Sequence, residues 1–291
     1  MNARLFCFGL GYSAEVLVRR CLAAGWRVAG TARETDHLAR LADLGIETFR
    51  FDRQHGVPGG ALAGTTHLLS SVPPDADGDP VLDLARTAIV TIRESLSWVG
   101  YLSTTGVYGD YAGEWVDERS ALRPASARSW RRVNAEASWL DLYRQAELPV
   151  QVFRLAGIYG SGRNILDEAR GGQARRIVKA GQVFSRIHVE DIATVLQASM
   201  DKPSPGTVYN VCDDEAAPPQ DVVAYACELL GVAVPPEIPF DPTLLSPMAQ
   251  SFWADNRRVR NDRIKNDLGV TLRFPTYREG LRALAESFGK G

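Results

Sequence analysis

Lysine is almost missing from this chain: four residues, against twenty-nine arginines and thirty-five acidic side chains in 291 positions. The net charge of −2 leaves no basic field for nucleic acid and no charge block that would read as a tail. Cysteine and histidine are equally scarce, four of each. Cys7, Cys21, Cys212 and Cys227 form no CxxC or other metal spacing, so they read as small buried hydrophobes in a reducing compartment. The histidines form no HxxxH or HxH pair, and no metal is expected. No apolar run is long enough to span a bilayer, and the first residues lead into a strand-like run without the basic region and apolar core of a signal peptide. A soluble cytoplasmic protein is the expectation, touching neither membrane nor nucleic acid. The arginine excess reads as the mark of a GC-rich genome rather than of a function.

What is present is an alternation of strand-like and helix-like segments. Apolar runs recur at Leu5 to Phe8, Arg27 to Thr31, Thr48 to Phe51, His67 to Ser70, Trp98 to Ser103, Val150 to Leu155 and Thr207 to Val211. Helical patterns lie between most of them, notably Pro80 to Ser95, with its proline in the first turn, and Ser129 to Ala146. This alternation predicts an α/β fold with a doubly wound, mostly parallel sheet. After about residue 160 the rhythm changes to Gly- and Arg-rich loops, a Pro-rich stretch from Pro235 to Pro247, and short helices at Pro219 to Leu230, Arg260 to Leu268 and Tyr277 to Phe288. The expected division is a sheet domain of residues 1–160, rejoined by 185–212, and a smaller substrate-binding lobe of 161–184 and 213–291.

The first thirty-three residues say most about function. Leu5 to Phe8 opens onto Gly9-Leu10-Gly11-Tyr12-Ser13-Ala14, a helical stretch runs to Gly25, and a second apolar run ends at Thr31-Ala32-Arg33. That order is a βαβ unit able to hold a dinucleotide. Gly9 allows the tight turn, Gly11 lets the backbone approach a pyrophosphate, and the helix from Tyr12 and Ser13 turns its free N–H groups toward the phosphates. Ala14, where a third glycine is usual, is small enough for helix and strand to pack closely. Thr31 is counted with these cofactor-binding residues. Arg33 stands where an acid would bond the ribose of NAD; its planar guanidinium suits a 2′-phosphate, so NADP is the expected cofactor and NAD the alternative.

Further along, Tyr101-Leu102-Ser103-Thr104-Thr105-Gly106-Val107-Tyr108-Gly109 puts hydroxyls at the end of a buried strand, the end where α/β sheets bind ligands. This segment resembles the "SS-x-x-VYG" of the extended short-chain dehydrogenase/reductase superfamily, the NAD-dependent epimerase/dehydratase type. The resemblance continues in order. Phe153-Arg154-Leu155-Ala156-Gly157-Ile158-Tyr159-Gly160-Ser161-Gly162-Arg163-Asn164 looks like the family's "R-x-x-x-(I/V)YG-P-G" loop, Arg186-Ile187-His188-Val189-Glu190-Asp191-Ile192-Ala193 like its "HV-x-D-(I/V)A" segment, and Tyr209-Asn210-Val211 like its "YN(V/I)" strand. It implies a Rossmann sheet with a smaller C-terminal lobe, a nicotinamide cofactor, and a nucleotide-linked or phosphorylated small molecule, sugar-like, as substrate. A homodimer is left open.

One departure matters more than the matches. The family pairs its Ser/Thr with a Tyr-x-x-x-Lys on the next helix, the tyrosine exchanging a proton with substrate. Here the same alignment, fixed by Glu136, places Arg128 at the tyrosine and Arg132 at the lysine, and no tyrosine in the chain is followed four residues later by lysine. Arginine, with a pKa above about 12, neither gives nor takes a proton near neutrality. Thr104 remains to orient a substrate oxygen, and Arg132 to meet ribose hydroxyls. Tyr108 or Tyr111, or Glu114 or Asp117, are the alternative proton carriers, each with a bland structural counterpart. The pattern resembles an atypical branch that lacks the active-site tyrosine.

Other positions have paired readings. Asp52 meets the adenine amino group or simply forms a strand-end turn. Ser70 and Ser71 pass over the cofactor or end a strand before Pro73. Arg163, Arg186 and His188 clamp a substrate diphosphate, or His188, with Asp191, fixes the junction between lobes. The leading expectation is an NADP-dependent oxidoreductase or epimerase-like enzyme with rerouted acid–base chemistry. The alternatives are a catalytically silent NADP(H)-binding sensor or scaffold and a sugar-nucleotide binding module without a redox step.

Overall fold

A computed structural model describes residues 3–288. Its first half follows the expected alternation: β1 (Arg4–Phe8), α1 (Tyr12–Ala23), β2 (Arg27–Ala32), α2 (Thr35–Ala42), β3 (Glu47–Arg50), β4 (His67–Ser70), α3 (Pro80–Thr91), β5 (Trp98–Thr104), the two-residue β6 (Trp115–Val116), α4 (Ala127–Ala146) and β7 (Val150–Leu155). The second half adds β8 (Gly157–Tyr159), α5 (Ile165–Arg170), β9 (Arg176–Val178), β10 (Arg186–His188), α6 (Val189–Asp201), β11 (Val208–Val211), α7 (Pro219–Leu230), β12 (Glu237–Pro239), α8 (Pro247–Ala254), β13 (Arg258–Val259), α9 (Asp262–Asn266) and α10 (Tyr277–Phe288).

Seven strands form one all-parallel sheet in the order β11-β7-β5-β4-β1-β2-β3. Helices cover both faces of its central strands, whose alternating side chains enter two separate cores. On β1, Leu5 and Cys7 enter the core that α1 and α6 cover, while Phe6 and Phe8 enter the one that α3 and α4 cover. β5 repeats the division, Trp98 and Leu102 to one side and Val99 and Tyr101 to the other. The Trp98 ring lies over Gly100, where a Cβ would come within 2.2 Å of it, so that glycine is a packing requirement.

The caps explain where the helices start. Asp79 accepts the N–H groups of Val81 and Leu82 ahead of Pro80 and also holds the Trp139 indole N–H, tying α3 to α4. Ser126 caps α4 by accepting the Ser129 N–H, which starts that helix two residues earlier than the apolar pattern suggests. The expected helix from Pro80 to Ser95 is α-helical only to Thr91, then tightens into a 3₁₀ turn at Arg93–Ser95.

Beyond β7 the chain builds short parallel pairs, β8 with β10, β9 with β12 and β6 with β13, and a separate apolar cluster. Tyr159, Leu166, Val222, Ala226, Tyr277 and Leu281 belong to that cluster, contributed by β8, α5, α7 and α10. β11 returns to the edge of the large sheet beside β7. Asp191 secures this part to α6 by accepting the Arg273 and Phe274 N–H groups at 2.7 and 2.9 Å.

Candidate functional site

The C-terminal ends of β1, β5 and β7 open onto a cleft of about 670 Å³. One wall is the turn after β1 with Gly11, Tyr12 and Ser13, together with Thr104 and the first turns of α4; the other is β8, β10, α8 and the residues just after it. A parallel sheet places its ligand here because strand ends and helix N-termini converge at this edge.

The two glycines of the first turn do different work. Gly9 has φ +82°, its N–H donates to Thr31 Oγ1 at 2.9 Å, and its carbonyl accepts the Ser71 hydroxyl. A Cβ there would meet Ser71 Oγ at 2.9 Å. Gly11 is extended, at φ −98° and ψ −172°, and a Cβ on it would meet nothing within 4 Å. Gly9 therefore shapes the turn, and Gly11 borders open space in front of the α1 N-terminus, room that suits the phosphates of a dinucleotide. Ala14 is buried and packs α1 onto the sheet.

Thr104, Arg128 and Arg132 all line the cleft. Arg128, Arg132 and Glu136 are spaced by four on α4 and share the face toward the sheet end. Arg132 donates to the Tyr101 hydroxyl and the Leu102 carbonyl, both at 2.9 Å. Thr104 Oγ1 accepts the Gly106 N–H at 3.1 Å. Glu136 is buried and pairs with Arg154 at 2.8 Å, while Ser103 donates its hydroxyl to the same carboxylate.

Several expected site residues sit elsewhere, for physical reasons. Tyr108 is fully buried; its hydroxyl donates to Asn210 Oδ1 at 2.7 Å and accepts from Arg154 at 2.9 Å. Burial pushes that hydroxyl up to about 12 despite the guanidinium, so Tyr108 is a core residue and not a proton carrier in the cleft. Tyr111, Glu114 and Asp117 do not line the cleft either. Tyr111 donates to the Ala121 carbonyl under the Arg123 guanidinium, and Asp117 holds the turn through Arg119 and Ser120. Thr31 is buried and committed to Gly9, and Ser70 is wholly buried while its neighbour Ser71 reaches the cleft. Asp52 lies past the end of β3, which stops at Arg50, and its oxygens accept from Gln54, His55 and Arg50, the turn-forming role. The hydrogen bond from His55 chiefly holds its carboxyl down to about 2. Arg33 is exposed and outside the cleft lining.

His188 also leaves the list of ligand contacts. It is buried between the Tyr159 and Phe274 rings, and its Nδ1 accepts the Glu190 N–H, capping α6. Burial lowers it to about 4, so at neutral pH it is an uncharged junction residue. Arg163 and Arg186 do line the cleft. Arg163 lies over the Tyr12 ring, 5.9 Å from its centroid, and Arg186 donates to the Phe184 and Ala217 carbonyls.

The sequence reading missed the wall made by Ser126, Ser129, Phe252, Trp253, Asp255 and Arg257. Arg257 donates to the Gly109 carbonyl at 2.8 Å and pairs with Asp255 at 3.1 Å, pinning this segment to the loop just beyond Thr104. Asn256 supplies the rest of the joint: its carbonyl accepts the Tyr111 and Gly113 N–H groups, and its side chain meets Gly181 and Val183. Burial raises the Asp255 carboxyl, opposed by Arg257. Only the serines, flanking Arg128, carried a local signal; the rest come from residues distant in sequence. No cluster of His, Cys, Asp and Glu able to hold a metal occurs among the described residues, and none of their helices is long and apolar enough to cross a membrane.

No family model matches the chain. A conserved protein of unknown function from Silicibacter pomeroyi DSS is 52% identical, with a TM-score of 0.91 over 99% of both chains. Protein YeeZ of Escherichia coli K12 is 25% identical over 279 residues, 92% of this chain and 94% of that protein. A dTDP-glucose 4,6-dehydratase from Bacillus anthracis, solved in complex with NAD, superposes with a TM-score of 0.77 at 18% identity, over 99% of this chain and 97% of that one. The fold is that of the NAD-dependent epimerases and dehydratases.

Proposed function

We propose, from the premise that this chain belongs to one family with the Silicibacter pomeroyi protein and has the fold of the extended short-chain dehydrogenases/reductases, that it is a cytoplasmic NADP(H)-binding, epimerase-like oxidoreductase of a phosphorylated or nucleotide-linked small molecule. The observation that carries this reading is the open space at Gly11 before the α1 N-terminus, continuous with the cleft that holds Thr104 and Arg132. Tyr12 and Ser13 border the phosphates, Ser71 closes over the turn, and Arg132 offers guanidinium N–H groups to ribose hydroxyls. Arg33, exposed at the end of β2, is the residue for a 2′-phosphate. Bound there, the cofactor supplies or accepts hydride. Thr104 orients a substrate oxygen, and Arg163 and Arg186 face its anionic part.

A second reading is favoured by one observation: Arg128 stands on the helix face where a tyrosine would exchange the proton, and Tyr108 is sealed in the core. A silent NADP(H) sensor or scaffold needs no proton carrier. Titration of the protein with NADPH and NADH, followed by tryptophan fluorescence, tests the shared part; tighter binding of NADPH is expected, and no binding of either refutes it. Turnover against a panel of nucleotide sugars then separates enzyme from binder.

A further inference from the structure

The cleft is lopsided in charge. Five guanidinium groups line it, those of Arg128, Arg132, Arg163, Arg186 and Arg257, and Asp255 is its one carboxylate among the described residues. Asp255 is already paired with Arg257. Arg132 and Arg186 are held by carbonyl and hydroxyl oxygens, and Arg163 lies beside the α1 turn. Like Arg163, Arg128 has no side-chain hydrogen-bonding or ionic partner among the described residues; it differs in its place, in the first turn of α4, where its guanidinium carbon sits 5.2 Å from the centroid of the Phe252 ring, across the cleft on α8.

That placement has a geometric consequence. A guanidinium that lies by an aromatic ring and makes no hydrogen bond keeps its N–H fork available, and the fork matches two oxygens of one anion. Beside it, Ser126 and Ser129 share one hydrogen bond at 2.9 Å, so one of their two hydroxyl protons is left to donate. Unneutralised cations crowded into a partly desolvated cleft repel one another, and an anion relieves that repulsion.

We propose that Arg128, placed by the Phe252 ring and flanked by Ser126 and Ser129, is the receptor for an oxyanion of the substrate, a carboxylate or a phosphate, at the end of the cleft where a proton carrier would otherwise stand. This rests on the reading of the cleft as a substrate site and adds the group it recognises. It is separate from the phosphates of the cofactor, which belong to the Gly11 end. Position 128 then holds charge instead of moving a proton, and selects an acidic substrate over a neutral one.

The test is arginine footprinting. The protein, with and without saturating NADPH, is treated with phenylglyoxal in chloride, phosphate or acetate at equal ionic strength, and modification is read residue by residue by mass spectrometry. Arg119, exposed and outside the cleft, is the internal reference. Protection of Arg128 but not Arg119 by phosphate or by acetate is expected, and the more protective ion identifies the group. Calorimetry should show Arg128→Gln weakening that anion by roughly 10- to 100-fold, the loss of one or two charge-assisted hydrogen bonds. Arg128→Lys should recover only part, and Phe252→Ala should cost about 2- to 5-fold. Arg128 is exposed, so these variants are expected to fold, and their circular dichroism confirms it. Equal protection of both arginines, protection of neither, or unchanged affinity in Arg128→Gln overturns the proposal. NADPH binding without anion protection fails this inference alone; anion protection without NADPH binding fails the dinucleotide reading alone.

Discussion

Replacing Gly11 with valine should remove cofactor binding and leave the fold standing, whereas Gly9→Ala should show its effect first in stability. A Cβ on Gly11 meets no atom within 4 Å, and its φ of −98° and ψ of −172° suit a branched residue. The free protein loses only capping preference at α1, at most about 1 kcal/mol. A bound pyrophosphate, however, would have to withdraw by the width of the new side chain. Losing two charge-assisted bonds to backbone N–H groups, at about 1.5–3 kcal/mol each, amounts to ~3–6 kcal/mol, or about 10²- to 10⁴-fold in Kd. Gly9 is the opposite case. Its φ of +82° costs an alanine about 1–2 kcal/mol, and the added Cβ presses on Ser71 Oγ at 2.9 Å, so stability falls first. Calorimetric titration with NADPH and urea unfolding, run on both variants, read the two effects separately. A folded Gly11→Val protein that binds NADPH as tightly as wild type would refute the placement of the phosphates at this turn.

Three further outcomes are expected. Arg33→Asp should weaken NADPH by about 1–3 kcal/mol and NADH hardly at all, measured by the same titration, since only NADPH carries the 2′-phosphate; equal losses would remove Arg33 from that role. Tyr108→Phe should cost about 1–3 kcal/mol of stability, because Asn210 and Arg154 lose a buried partner, and should leave NADPH affinity unchanged; a binding defect without destabilisation would return Tyr108 to the cleft. His188 is lowered by burial to about 4 from an ordinary 6.5, so between those values the unfolded chain binds the extra proton. Its contribution is therefore complete above pH 6.5 and is lost as pH falls toward 4, up to roughly 3 kcal/mol. His188→Asn, which keeps a cap acceptor for α6, should flatten urea-measured stability across that window, and an unchanged slope would count against the buried neutral histidine.

Local signals in the sequence determined the sheet and the first turn. The alternation in Leu5 to Phe8 put two side chains on each face of β1, and the spacing of Gly9 and Gly11 set the βα turn, because strand pleat and glycine torsions act over a few residues. The four-residue spacing of Arg128, Arg132 and Glu136 likewise placed all three on one helix face before any contact was known. Tertiary packing decided the rest. Nothing local distinguishes Tyr108, sealed behind Arg154 and Asn210, from a tyrosine in the cleft, and His188 became a junction residue only when Tyr159 and Phe274 closed on it. Phe252, Asp255 and Arg257 lie more than a hundred residues from Arg128 and reach the same cleft through the joint that Arg257 and Asn256 make with Gly109 and the Tyr111 to Gly113 loop. A charge environment assembled from segments so far apart is a property of the folded chain, since sequence neighbours fix torsions and faces but not which distant faces meet.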